Sequence, residues 1–282
     1  PEPTPTSTPT PEPPPPAEPA APAAPPPEPP PAAEAAPAAT SAKKGVATWE
    51  FDGTRGALGD VGAGWYYTWS PSPAAGPAGV EFVPMIWGRD AVTDETLALA
   101  SQQGTVLLGF NEPDLAEQAA MSVEEALDLW TRLEGTGMRL GSPAVAYGAD
   151  TPGGWLDQFM AGAQERGLRV DFITVHWYGS DFSEAAVGHL LEYVDAVHAR
   201  YGLPVWVTEY GLINFAGEPS YPTGQQAEAF IAGSTQGLEA RPFVERYAWF
   251  GLPAVGDSVE FGLYLDGSTP TAAGRAYRAA GP

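Results

Sequence analysis

From Gly45 onward the chain alternates between short apolar runs and longer runs whose apolar positions recur every three or four residues. Eight of the short runs read as strands, at 46–51, 63–69, 80–87, 105–111, 139–145, 170–177, 205–210 and 246–250. Helical periodicity is clearest over 93–102, 123–133, 154–164, 184–201 and 225–238. In the longest of these, Val187, Leu190, Leu191, Val194 and Val197 make one stripe suited to packing on a sheet. The ends carry their own signals. Ser122 with Glu125, and Thr223 with Gln226, have capping-box spacing. Thr93 and Ser183 are candidate N-caps, and Gly202 followed by Pro204 stops the longest helix before the seventh strand.

Strands alternating with helices imply parallel pairing through right-handed crossovers. The near-continuous apolar runs TVLLGF, VDFITVHW and PVWVTEY suit strands covered on both faces. Eight such units in about 238 residues predict an α/β protein, a single (β/α)8 TIM barrel. An open doubly wound sheet is the second choice. It would carry a phosphate-binding loop after the first strand, and DGTRGALGD lacks that spacing. No Walker sequence occurs.

Composition divides the chain at the same place. Of its 32 prolines, 18 fall in the first 37 residues, and residues 1–44 contain no Gly and no aromatic side chain. Such a segment cannot bury enough apolar surface to offset its ordering entropy, so 1–44 is expected to be a disordered Pro/Ala/Thr/Glu-rich linker, with 45–282 the folded domain. As polyproline II the linker would reach roughly 130 Å and hold the domain off a wall, an anchor or another domain. Absence of cysteine removes disulfide scaffolds, zinc–cysteine sites and thiol catalysis. No apolar run approaches the length of a membrane span. A chain that begins at Pro1 without a leader is read as one whose targeting segment is missing, and its expected location is extracellular or cell-surface. Net charge is −22, and from Gly45 on 11 Arg and no Lys face 30 Asp and Glu. That field disfavours nucleic acid and anionic lipid and is indifferent to a neutral polymer. Salt adaptation and an Arg-favouring coding bias fit the composition equally. A monomer is expected, since nothing in the acidic surface suggests an interface.

Chemistry in the predicted architecture gathers at the C-terminal ends of strands. The fourth strand ends in Asn111-Glu112-Pro113-Asp114 and the seventh in Glu209-Tyr210-Gly211. A carboxylate emerging from an apolar run needs a partner or a role. Two facing carboxylates suit glycosidic cleavage, one protonated to donate to the leaving oxygen and one ionised to attack the anomeric carbon. The alternative is that each is structural and paired with an Arg. Aromatic residues collect at the same ends: Trp65, Tyr66, Tyr67 and Trp69 at the second strand, Trp87 at the third, Trp177 and Tyr178 at the sixth, and Trp249 at the eighth. Sugar rings stack their C–H faces on such planes. Trp65, Trp69, Trp87, Trp177, Tyr178 and Trp249 are therefore candidate substrate contacts. Trp206, out of phase with Val205, Val207 and Glu209, is expected to point outward onto a helix. His189 and His198 read as surface or packing residues on the long helix. His176 lacks the clustered spacing of a metal site, so no metal and no cofactor are expected. No GxSxG follows a strand, which disfavours a serine hydrolase.

The GFNEPD and WVTEYG segments resemble clan A glycoside hydrolases. Residues 45–282 resemble glycoside hydrolase family 128, the endo-β-1,3-glucanases, through LLGFNEPD, RLGSPA, VDFITVHWYG, PVWVTEYG and RYAWFG in the same order. The resemblance implies Glu112 as acid/base and Glu209 as nucleophile of a retaining reaction. It implies Asn111 as a hydrogen-bond partner of the sugar 2-hydroxyl, with His176 and Tyr178 orienting the nucleophile and lining the cleft. Trp249 would be the aromatic floor, and a neutral β-glucan the partner. Many clan members also carry an Arg near the end of the second strand. Here none lies between Arg55 and Arg89, so the nucleophile's support must differ. Another β-glycan, exo or transglycosylating action, and a non-catalytic glycan-binding module are the alternatives.

Overall fold

The computed structural model describes residues 41–281 apart from 77, 78, 257, 258 and 260. The expected linker therefore lies outside the described residues over 1–40. Eight strands and seven α-helices follow in the order β1 (Ser41–Ala47), α1 (Thr54–Asp60), β2 (Ala63–Tyr67), β3 (Glu81–Phe82), α2 (Asp94–Ser101), β4 (Val106–Leu107), α3 (Val123–Glu134), β5 (Arg139–Leu140), α4 (Trp155–Arg166), β6 (Ile173–Gly179), α5 (Ala185–Tyr201), β7 (Val205–Leu212), α6 (Gly224–Glu239), β8 (Val244–Phe250) and α7 (Ala272–Ala279). All eight expected strands and five expected helices have counterparts. The two short helices α1 and α7 were not anticipated from periodicity.

A six-stranded parallel sheet runs β3-β2-β1-β8-β7-β6, and β4 and β5 form a separate parallel pair. Single parallel bridges, Met85 to Leu108 and Gly141 to Phe172, link that pair to β3 and β6. Alternation along the strands sorts side chains between two cores. Val46, Tyr66, Val175, Val205, Val207, Tyr247 and Trp249 pack with the buried faces of the helices. Ala47, Trp65, Tyr67, Phe172, Trp206 and Ala248 pack on one another. Trp206 therefore faces away from the helices, contrary to the expectation from phase. The cause is a bulge in β7. Against β6, Val207 pairs with Val175 but Glu209 pairs with His176, leaving Thr208 as an extra residue. The alternation resets there, so Val207 and Glu209 face opposite sides although two residues apart.

Gly45 is needed under Trp65, where a Cβ would come within 2.3 Å of the indole. β1 begins at Ser41, four residues before the composition boundary. Lys44 is fully buried, and its ammonium donates to the carbonyl of Tyr277 at 3.0 Å and to that of Ala280 at the end of α7. Lys43 donates to the carbonyls of Glu239 and Arg241 at the end of α6. Ammonium groups on helix C-terminal carbonyls are favourable, which explains why β1 takes in residues that composition assigned to the linker. Thr223 and Gln226 form the complete expected box on α6. Ser122 accepts from the Glu125 amide, but the Glu125 carboxylate turns to Arg89 at 2.6 Å. The N-cap of α5 is Glu184, with Ser183 one residue earlier. Among the described residues no helix is long and apolar enough to cross a membrane.

Candidate active site

At the C-terminal ends of the strands a cleft of about 1060 Å³ opens. Glu112 and Glu209 lie within it, both buried. Glu112 follows β4, past the bridge between Asn111 and Ala144, and its backbone turns into the left-handed region at φ 43°. Glu209 sits inside β7, aimed into the cleft by the bulge at Thr208. His176 of β6 stands between them, with Nδ1 2.8 Å from Glu112 Oε1 and Nε2 3.4 Å from Glu209 Oε1. One oxygen of each glutamate and a ring nitrogen of His176 all lie within 4.8 Å of one another.

Three neutral donors hold Glu209. The Trp69 indole N–H donates to Oε1 at 2.7 Å, the Tyr67 hydroxyl to Oε1 at 3.1 Å, and the Tyr178 hydroxyl to Oε2 at 2.5 Å. Tyr67 and Trp69 occupy the end of β2 that has no Arg, so these donors supply the support left open by the sequence. Burial, then the charge of Glu209, pushes both tyrosine hydroxyls well above their ordinary range, so they stay protonated and donate. For His176, burial alone would lower the imidazole. The carboxylates of Glu209, Glu112 and Asp114 together outweigh it and raise the ring above its ordinary value. Asn111 donates through Nδ2 to Gln118 at 3.3 Å, while its buried Oδ1 has no hydrogen-bond partner among the described residues. A buried carbonyl left in this state is a ready acceptor for a ligand hydroxyl.

Of the candidates from sequence, Asn111, Glu112, His176, Trp177, Tyr178, Glu209, Trp69 and Trp87 line the cleft. Trp65 and Trp249 do not, and both are 0% exposed. Trp65 stacks in the strand-only core beside Trp206 and Tyr67. Trp249 faces the helices, against Phe230, Phe261 and Tyr277. The aromatic of β8 that reaches the cleft is its neighbour Phe250. From Tyr247 to Phe250 both faces of β8 are apolar, so polarity along that stretch carried no sign of which residue turned inward. Trp49, Tyr147 and Phe215 also line the cleft and were missed. Trp49 was within reach of the strand-end rule, lying two residues past β1. Tyr147 and Phe215 stand in loops without periodicity.

The family model described as "Glycosyl hydrolase catalytic core" matches residues 47–277. A family 128 subgroup I endo-β-1,3-glucanase of Amycolatopsis mediterranei, solved with laminaritriose, is 58% identical. It covers 86% of this chain and 100% of its own, with a TM-score of 0.82. Structures of the same enzyme with one or another glutamate replaced by alanine hold laminaritriose and laminaribiose, or laminaripentaose. A subgroup II endo-β-1,3-glucanase of Sorangium cellulosum is 29% identical, covers 84% of this chain and 98% of its own, and has a TM-score of 0.71. Alkali-sensitive linkage protein 1 of Schizosaccharomyces pombe is 32% identical over 197 residues, 67% of this chain. The chain spans about a third of that relative's length, 34%.

Proposed function

This chain belongs to the glycosyl hydrolase catalytic-core family and is a glycoside hydrolase, and from that premise we propose that it is a retaining endo-β-1,3-glucanase with Glu209 as nucleophile and Glu112 as acid/base. The observation that carries the reading is the pair of buried glutamates at the base of an open aromatic cleft. Their spacing supports the roles. The two glutamates replaced in the Amycolatopsis enzyme are as far apart in its chain as Glu112 and Glu209 are here (199 − 102 = 209 − 112). An oxygen of one lies within 4.8 Å of an oxygen of the other, which is compatible with the about 5–5.5 Å between the carboxyl groups of retaining pairs.

In the first step a Glu209 oxygen attacks the anomeric carbon as Glu112 protonates the departing glycosidic oxygen. In the second, Glu112 takes a proton from water, which attacks the same carbon and releases Glu209. Tyr67, Trp69 and Tyr178 keep the Glu209 carboxylate aimed through neutral donors. Asn111 Oδ1 accepts a hydroxyl of the bound sugar, and Trp49, Trp69, Trp87, Tyr178, Phe215 and Phe250 offer faces to several rings, which suits cleavage within a chain.

We also infer that the strands close into an eight-stranded barrel. Trp65 of β2 and Trp206 of β7 have ring centroids 5.3 Å apart. In a flat sheet of this order β1 and β8 would separate those strands by about 14 Å, and the bridges from β3 to β4 and from β5 to β6 join the remaining edges. A polymeric glucan does not cross a membrane, so the place of action is extracellular, with the Pro-rich segment as tether.

The test is early-time proton NMR with a linear β-1,3-glucan. β-Anomeric ends on mixed short oligosaccharides before mutarotation are expected. α-Anomers first would sink the double displacement, and an untouched glucan would sink the substrate.

A further inference from the structure

We propose that Asp114, a residue of the FNEPD segment with no role in the reaction above, is a positioning residue for the acid/base. Its side chain replaces a strand carbonyl that the Glu112 turn removes from the β4–β5 ladder. The proposal rests on Glu112 being the acid/base.

The ladder beyond the strand ends carries it. In a parallel pair, a residue donates its N–H to one residue of the partner strand and accepts at its C=O from the residue two further along. Ala144 N–H donates to Phe110 O at 2.9 Å, and Glu112 N–H donates to Ala144 O at 2.7 Å. The next rung in register would run from Ala146 N–H to Glu112 O. It is missing because Glu112 leaves the strand at φ 43°, and its carbonyl instead accepts from Leu115 N–H at 3.1 Å. The Ala146 amide donates to Asp114 Oδ1 at 2.9 Å. The carboxylate thus takes the rung that the turn vacates. A non-glycine residue persists in the left-handed region only where its surroundings over-determine it. Glu112 is flanked by two bonds to the same three-residue segment, one from its own amide and one through Asp114. Ala146 of that segment and the next residue, Tyr147, line the cleft like Glu112. Asp114 therefore fixes the acid/base relative to the cleft wall beside it, without touching substrate.

The test compares kcat/KM, which reports the first chemical step, on two substrates. One is a laminari-oligosaccharide, whose leaving group needs a proton. The other is a dinitrophenyl β-1,3-glucobioside, whose leaving group does not. Asp114→Ala is expected to lose about 10- to 100-fold on the oligosaccharide, in kcat with KM within about twofold, and less than about threefold on the dinitrophenyl substrate. Asp114→Asn, which keeps an acceptor oxygen, is expected to stay within about threefold of wild type on both. Equal losses of Asp114→Ala on both substrates, or an Asn variant as damaged as the Ala variant, overturn the proposal. Should Asp114→Ala fail to fold, Asp114→Ser, whose hydroxyl stops short of Ala146, carries the same comparison. Glu112→Gln in the same panel separates the two failures. If it loses both substrates equally, the acid/base reading falls and takes this proposal with it.

Discussion

His176 is the residue on which the site's electrostatics converge. It is fully buried, and burial opposes its charge. Yet Glu112 faces one ring nitrogen, Glu209 the other, and Asp114 adds a further negative charge, so the net direction is upward. The surrounding Tyr67 and Tyr178 hydroxyls are neutral and spend their protons on Glu209. A folded-state value above the unfolded one, about 6.5, means that protonation favours the fold. That contribution is fully present below about pH 6.5 and is lost as pH rises through the raised folded value. Wild type should therefore lose melting temperature relative to His176→Asn as pH rises from about 6.5 through the raised folded value, the gap narrowing or reversing. A gap that stays constant across that window would show that the imidazole does not titrate with folding.

At the scale of the element, the bulge in β7 decides which of its side chains enters the cleft. The bulge at Thr208 lets Val207 pack on helices while Glu209 enters the cleft. Deleting Thr208 removes the extra residue and places Glu209 directly after Val207, so plain alternation still presents Glu209 to the cleft opposite His176. The expected result is a folded chain that keeps measurable turnover, within roughly a hundredfold of wild type, whereas Glu209→Ala loses on the order of a thousandfold or more. A folded deletion as inactive as Glu209→Ala would mean that the bulge sets the aim of Glu209 as well as its face. The same element marks the limit of what the sequence could tell. Glu112 and Glu209 were legible because a carboxylate at the end of an apolar run is costly unless used. The faces of Trp206 and Trp249 were not, because an extra residue resets phase in β7 without leaving a compositional trace and because the immediate neighbours of both tryptophans, Val205, Val207, Ala248 and Phe250, are apolar. The start of β1 was hidden for a related reason. Lys43 and Lys44 look like solvated linker residues, and only the helix ends they reach, nearly 200 residues or more away, give them a buried role.

For the whole molecule, charge selects among polymers that the cleft could otherwise hold. The chain carries −22, and its two lysines are committed to helix-end carbonyls. Arginines such as Arg89, Arg132, Arg166, Arg200 and Arg241 are engaged with nearby carboxylates. Among the described residues the cleft is lined by Glu112, Glu209 and Asp150 and by no Arg or Lys. A neutral glucan meets this field without cost. A carboxymethylated β-1,3-glucan of the same backbone meets repulsion from the surface as a whole and again at the cleft. Such repulsion acts over the Debye length, about 30 Å at 0.01 M salt and about 10 Å at 0.1 M. Raising salt across that range should therefore increase kcat/KM on the carboxymethylated polymer several-fold, chiefly through association. On the neutral glucan kcat/KM should stay within about twofold, because no long-range term exists to be screened. Equal salt responses on the two polymers would mean that the acidic surface does not reach the cleft and that aromatic stacking alone sets which glucan is taken.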